Sequence, residues 1–317
     1  MESGQEKARE VLAQVQQVIL GKKRQTEEIF LAFLADGHVL LEDIPGVGKT
    51  TLARAFSQVL DLDCRRIQFT PDVMASDLTG FSVYNREKEA FVYQPGNVFC
   101  NLLLADELNR TSPKTQSALL EVMEERQCTA EGITRKVPDP FLVIATQNPT
   151  GSTGTWELLE VQRDRFLVSL SMGYPDFGSE LELIKSGGYA GKTEKLPAVL
   201  DREALLWMQE EVRGVFIGDR AARYLLELVT ATRTHPMLSR GLSPRASIAL
   251  AKMAKASAWF SGRDYVAPED VREQFGYVAG HRIGMDPAAR TEYSGKEQII
   301  EEILNDIKVP FVGEESR

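Results

Sequence analysis

Gly46, Gly48, Lys49 and Thr50 stand close together in the run Val39-Leu40-Leu41-Glu42-Asp43-Ile44-Pro45-Gly46-Val47-Gly48-Lys49-Thr50-Thr51. Those residue types at that spacing suit one task. Glycines let successive backbone N–H groups converge on phosphate oxygens, a lysine reaches the β- and γ-phosphates, and a hydroxyl joins the shell of a Mg2+ ion. A nucleotide is therefore expected against Pro45, Gly46, Val47, Gly48, Lys49, Thr50 and Thr51. The first glycine of the strict phosphate-loop pattern falls at position 43, which here is Asp43, so the pattern is broken at its strand end. Pro45-Gly46 supplies the turn, and Asp tolerates turn conformations better than most residues.

Asp106 and Glu107 close the apolar run Leu102 to Ala105. An acidic pair after a strand is often merely solvated, but downstream of a phosphate loop it gains a chemical meaning. Asp106 can hold Mg2+ together with Thr50, and Glu107 can polarise the water that attacks the γ-phosphate in line. Asn148, just past the apolar run Phe141 to Ala145, can hydrogen-bond that water or the phosphate; alone it would read as a turn residue before Pro149. Arg165, in Asp164-Arg165-Phe166, and Arg245, in Ser243-Pro244-Arg245, offer guanidinium groups. An arginine brought to a γ-phosphate from another subunit is worth ~10³ to 10⁵ in rate. The catalytic candidates are thus Glu107, Asn148, Arg165 and Arg245, and the chemistry is hydrolysis rather than binding alone.

The elements needed to position these residues can be read from periodicity. His38 to Leu41 reads as a strand, Thr50 to about Leu60 as a helix with Leu52, Ala55, Phe56 and Val59 on one face, and Arg65 to Phe69 as a second strand. That order is the βαβ unit of a parallel sheet with a right-handed crossover, the context a phosphate loop requires. Two helices precede it, one with Val11, Leu12, Val15, Val18 and Ile19 at helical spacing and stopped at Gly21, the next ending at Gly37. Phe81 to Phe91, with the polar tip Asn85 to Glu89, and Gln127 to Val137 read as hairpins. Ser112-Pro113 opens another helix, and Phe166 to Leu170 is the fifth strand of the core. From Pro175 onward the pattern is helical, which places a domain boundary near Gly173 to Pro175, with the domains 1–173 and 174–317.

Composition narrows the function classes. A chain of 317 residues with 43% hydrophobic and 26% charged residues is in the ordinary globular range. Its net charge of −9 offers no electrostatic footprint for a polyanion, so nucleic acid is not the expected partner. Cys64, Cys100 and Cys128 are odd in number and not at metal-ligand spacing, and His38, His235 and His281 do not cluster, so no metal beyond Mg2+ is expected. No run reaches the ~18 apolar residues of a spanning helix. Without a signal-peptide core near the N-terminus, the chain is expected to be cytoplasmic.

The ordered set Asp43 to Thr50, Leu102 to Glu107, Thr146 to Pro149, Asp164 to Phe166 and Ser243 to Arg245 resembles an AAA+ ATPase. The stretches Arg66-Ile67-Gln68-Phe69-Thr70-Pro71-Asp72, Ala105 to Thr111, Lys114 to Glu121 and Ala145 to Pro149 are similar to the MoxR family of its helix-2-insert clade. This resemblance implies an α/β P-loop core with a five-stranded parallel sheet in the order 5-1-4-3-2, an all-α C-terminal lid, and hairpin inserts near Ser82 to Gln94 and Gln127 to Val137. It implies ATP and Mg2+, with Lys49 and Thr50 as Walker A, Asp106 and Glu107 as Walker B, Asn148 as sensor 1, Arg165 as arginine finger and Arg245 as sensor 2, while Ile19 and Leu20 fall where the family contacts adenine. It further implies a hexameric ring acting in chaperone-like fashion on protein clients, with a von Willebrand factor A domain protein as a possible partner. A magnesium-chelatase-like or nucleic-acid-acting ATPase of the same clade, and a nucleotide-gated module that does not hydrolyse, are the alternatives. Where the family has Pro-Leu-Pro-Glu-Ala-Gln-Leu-Asp-Arg-Phe, this chain reads Glu157-Leu158-Leu159-Glu160-Val161-Gln162-Arg163-Asp164-Arg165-Phe166, which leaves Arg163 and Arg165 both open for the finger.

Overall fold

The computed structural model of the protein describes residues 3–43, 48–147, 155–185 and 196–310. The chain begins with α1 (Gly4–Gln16) and α2 (Lys23–Leu34), then β1 (Val39–Glu42), α3 (Lys49–Val59), β2 (Cys64–Gln68), the short α4 (Ala75–Thr79), and the hairpin β3 (Phe81–Asn85) and β4 (Ala90–Gln94). There follow β5 (Leu102–Asp106), α5 (Pro113–Glu125), a second hairpin of β6 (Gln127–Ala130) and β7 (Ile133–Lys136), β8 (Leu142–Gln147), α6 (Glu160–Arg163) and β9 (Val168–Leu170). The remainder comprises α7 (Phe177–Lys185), α8 (Arg202–Gly214), α9 (Asp219–Thr234), β10 (Leu238–Arg240), α10 (Pro244–Phe260), α11 (Pro268–Ala279), β11 (Gly284–Met285) and α12 (Lys296–Asp306).

Five strands form one parallel sheet in the order β2-β5-β8-β1-β9, which is 5-1-4-3-2 when the strands are counted along the chain. The central strand β8 is buried along its whole length and β5 up to Asp106, as continuous apolar runs covered by helices on both faces require. β2 carries Arg65, Arg66 and Gln68 and takes the sheet edge, where polar side chains can reach water. Both expected hairpins form, β3 with β4 and β6 with β7, outside the main sheet.

The helices start where their local chemistry supplies caps. Ser3 and Glu6 make a reciprocal capping box at α1. Ser112 and Ser243 accept the backbone N–H of Thr115 and Ala246 at the starts of α5 and α10, each followed by proline at the first helical position. α2 is buried from Glu28 to Leu34, because α1, α8 and α10 all pack on it. Phe56 of α3 sits 6.1 Å from Phe30 and 5.2 Å from Phe33, ring centre to ring centre. The two N-terminal helices therefore lie between the phosphate-binding helix and the C-terminal helices.

One expectation needs correction: strands do not stop at Leu170. β10 and β11 pair antiparallel within the C-terminal helical region. At three and two residues they are too short to give a periodic signal. Among the described residues, no helix is long and apolar enough to cross a membrane.

α2 carries a buried carboxyl, Glu28, whose Oε2 has no hydrogen-bond partner among the described residues; neither has Oε1 of buried Gln274. Burial raises the Glu28 pKa to about 7. A folded-state pKa above the unfolded value means that the folded chain holds the proton more tightly, so this group's contribution is most favourable below pH 4.5 and is lost as pH rises through about 7. Glu28→Gln is expected to raise urea resistance over the wild type at pH 8 and to lose that advantage near pH 4.5; an equal gain at both values would count against a buried, titrating Glu28.

Candidate active site

The carboxyl end of β1 runs into Asp43, and α3 begins at Lys49 behind Gly48, which caps the helix with φ 88°. That left-handed conformation is open to glycine at little cost. Since the first N–H groups of a helix have no partner within it, the start of α3 presents donors and positive dipole to a phosphate, with Thr50 and Thr51 in the first turn. Lys49 is buried, and its Nζ donates to the Asp43 carbonyl at 3.1 Å. Burial lowers its pKa, while Asp43, Asp106 and Glu107 pull the other way. Pro45, Gly46, Val47 and Asn148 lie outside the described residues.

Asp43 itself explains the broken glycine pattern. Its buried carboxylate accepts Ser171 Oγ at 2.9 Å and the Gly173 N–H at 3.1 Å on Oδ1, and the Met172 N–H on Oδ2. The residue that opens the phosphate loop is thus also the anchor of the segment leaving β9. Lys22 fastens the same segment from the other side, its Nζ donating to the Tyr174 carbonyl at 2.5 Å. Gly21 has φ +70°, and a Cβ there would lie 2.5 Å from side-chain oxygens of Asp176 and Ser179. Ile19, buried, and Leu20, partly exposed, precede it, so both expected adenine contacts sit beside the junction of core and C-terminal helices.

At the end of β5, Asp106 Oδ1 accepts Thr146 Oγ1 at 2.8 Å and Oδ2 pairs with Arg66 Nη2 at 2.7 Å. Glu107 has φ 57°, and its N–H donates to the same Thr146 hydroxyl at 2.8 Å. Its Oε2 accepts Gln68 Nε2 at 2.9 Å and pairs with Arg110 Nη1 at 2.7 Å. Sequence reasoning noted Arg66 and Gln68 only as part of a resembling stretch and assigned nothing to Thr146 or Arg110. The available signal was the period of two on β2, which turns residues 66 and 68 to one face, with Gln68 in register with Asp106.

The Thr50 hydroxyl and the Asp106 carboxylate are hard oxygen donors, which fits Mg2+ held mainly by phosphates and water. Among the described residues no cluster of three His, Cys, Asp or Glu builds an all-protein metal site. Thr146 engages one Asp106 oxygen and Arg66 the other, and the remaining lone pairs of the carboxylate are the ones open to an ion or its water shell.

The arginines lie elsewhere. Arg165 Nε pairs with Glu124 Oε2 at 3.0 Å, and Arg245 pairs with Oε1 of the same carboxylate. Together they line a cavity of about 630 Å³ that also includes Asp36, His38 and Lys252. The Leu167 N–H donates to the His38 carbonyl at 2.8 Å, and Val39 is in register with Val168, so this cavity lies at the amino ends of β1 and β9. Lys49 and Asp106 are at the carboxyl ends, separated from it by the strand length, about 13 Å for four residues. The sequence left open which copy's nucleotide Arg245 serves; in the fold Arg245 stands beside Arg165 on the shared Glu124 carboxylate. Arg163 is mostly buried, its nearest acidic partner Glu157 at 3.9 Å.

Removing the Asp43 carboxylate orphans three donors, and a charged hydrogen bond contributes roughly 1.5–3 kcal/mol. Asp43→Ala is expected to destabilise by about 2–4 kcal/mol in urea titration and to weaken binding of a fluorescent nucleotide. Asp43→Gly, which restores the strict glycine pattern, should show the same losses. Wild-type behaviour of Asp43→Gly would mean that the anchor is dispensable.

Comparison with known proteins agrees with this fold. Residues 38–168 match the ATPase family associated with various cellular activities (AAA), and residues 230–303 match the AAA lid domain. The chain is 46% identical to YeaC of Bacillus subtilis, over 93% of this chain and 92% of that one. It is 38% identical to the chaperone MoxR1 of Mycobacterium tuberculosis, over 94% of this chain and 81% of the relative. A crystal structure of a Cytophaga hutchinsonii protein assigned as an ATPase superimposes with a TM-score of 0.90 at 38% identity, over 97% of this chain and 96% of its own. A phosphate-binding helix start, paired acidic residues beside it and relatives of this similarity over nearly the full length lead to one conclusion: the chain belongs to the MoxR family of AAA+ ATPases and hydrolyses ATP.

Proposed function

We propose that the chain works as a ring in which Mg2+-ATP, bound at Lys49, Thr50 and Asp106 of one copy, is completed by Arg165 and Arg245 of the next. The observation that carries this reading is the placement of the arginines and the phosphate-binding helix at opposite ends of one parallel sheet. No side chain spans that length, but a second copy set carboxyl end against amino end closes the gap. Such a head-to-tail contact is heterologous and forms a ring when its rotation closes. A hexamer is the expected closure.

In this scheme Lys49 moves from the Asp43 carbonyl to the β- and γ-phosphates, and the donors at the start of α3 neutralise charge on them. Thr50 and Asp106 would hold Mg2+, which would supply electrostatic stabilisation of the transferring phosphoryl group. Glu107, which already shares its carboxylate with Gln68 and Arg110, orients and polarises the attacking water, aided by Asn148. Ile19 and Leu20 take the adenine. The division into a core of residues 1–173 and a lid of residues 174–317 is supported by the two family matches, which fall on either side of it.

Turnover is proposed to drive chaperone-like remodelling or maturation of protein complexes in the cytoplasm, with a von Willebrand factor A domain protein as a partner. The name of the mycobacterial relative supports the chaperone reading. The exposed apolar side chains of the first hairpin, among them Phe81, Tyr84 and Phe91, give a client something to touch.

Arg165→Ala is expected to lower hydrolysis by about 10³-fold or more while leaving ATP binding near wild type. Mixing it with Glu107→Gln protein should partly restore phosphate release, because one interface then combines an intact water-activating site with an intact arginine. If Arg165→Ala hydrolyses normally and Arg163→Ala does not, the finger is Arg163.

A further inference from the structure

β9 is held at both ends. Beyond its carboxyl end Asp43 grips Ser171, Met172 and Gly173. Before its amino end the loop Asp164 to Leu167, which carries Arg165, is gripped from the C-terminal helices by Arg282, just past α11. All five N–H donors of that guanidinium are used. Nε donates to Asp164 Oδ1 at 2.6 Å, Nη2 to the Asp164 carbonyl at 3.1 Å and the Phe166 carbonyl at 2.5 Å, and Nη1 to the Leu167 carbonyl at 3.0 Å and the Val278 carbonyl at 2.8 Å.

Four of these five bonds end on the loop, and only the Val278 bond stays within the C-terminal helices. His281 Nε2 reaches the Phe166 carbonyl at 3.1 Å, and Ser243 Oγ donates to Asp164 Oδ2 at 3.2 Å. The loop therefore has carbonyls facing inward on both sides of Arg165, whose own side chain turns out to Glu124. A cation with a 4% exposed side chain is a costly way to fill space, since an apolar residue of similar volume would pack there without desolvating a charge. What the guanidinium adds is a planar fork that fixes several acceptors of one loop at once, which neither a lysine nor an apolar side chain can reproduce.

Resting on the ring reading above, we propose that Arg282 is a positioning residue for Arg165. It joins the C-terminal helices to the loop that presents the guanidinium, so that a shift of those helices over the chain's own nucleotide is delivered to the neighbour's γ-phosphate. The two grips on β9 make this coupling short: three strand residues separate the Asp43 anchor from the Arg282 clamp. Arg282 touches no nucleotide in either copy.

Complementation between variants tests the assignment, with Lys49→Ala defective on the phosphate side and Arg165→Ala on the arginine side. Arg282→Lys keeps the charge but loses the fork. It is expected to bind a fluorescent ADP analogue within about twofold of wild type and to lose about ten- to a hundredfold in kcat with little change in KM, as a misplaced group does. Mixed with Lys49→Ala it should regain phosphate release; mixed with Arg165→Ala it should not. Asp164→Asn, which gives up one charge-assisted bond and keeps its volume, should sort the same way if Arg282→Lys fails to fold. If the Arg282 and Asp164 variants are instead restored by Arg165→Ala, or lose nucleotide affinity in step with kcat, Arg282 serves its own chain's site and the assignment falls. If Lys49→Ala and Arg165→Ala do not complement each other, the ring reading fails first and takes this one with it.

Discussion

A parallel sheet has two unlike ends, and that polarity governs this protein. Right-handed crossovers return every strand in the same direction, so loops leaving the carboxyl ends meet helix starts, with their unpaired N–H groups and positive dipole. The amino ends of the strands receive the opposite set of connections. In this chain the carboxyl ends collect Asp43, Lys49, Asp106 and Glu107, while the amino ends of β1 and β9 collect Arg165 and Arg245 around Glu124. The anion-binding donors and the Arg165 and Arg245 guanidinium groups are thereby kept apart within one chain. In the ring proposed above, a second copy closes that separation.

The acidic pair shows how the site manages charge. Two carboxylates beside a buried lysine would repel each other and lose hydration. Thr146, Arg66, Gln68 and Arg110 supply the compensating bonds. Because Arg66 and Gln68 lie on β2, which continues through α4 into the exposed first hairpin, the acidic pair and the hairpin are linked by a short length of backbone.

Much of the fold was legible because its signals are local. The apolar runs of β5 and β8, the Ser-Pro caps of α5 and α10, and the Gly48-Lys49-Thr50 helix start depend on neighbours a few residues away, and each was found at its expected place. β10 and β11 went unseen because two or three residues carry no period. Arg66, Gln68, Thr146 and Arg110 gained meaning only through register: strands 40 residues apart in sequence put Arg66 on Asp106. Arg282 gave no signal at all, since an arginine after a helix is usually solvated and nothing nearby in sequence foretells four acceptors from a distant loop.

The sequence by itself determined what is bound. A glycine, a lysine and a hydroxyl at the start of a helix are specified by adjacent positions, and their chemistry toward phosphate follows from residue type and local backbone geometry. Tertiary structure alone decided what Asp43, Arg245 and Arg282 touch. Asp43 departs from a loop pattern until Ser171, Met172 and Gly173 are brought to its carboxylate. Arg245 could face either end of the sheet until the C-terminal helices dock it on Glu124. Such roles depend on where a side chain ends relative to residues more than a hundred positions away, and hydrogen bonds and ion pairs act only over that final distance.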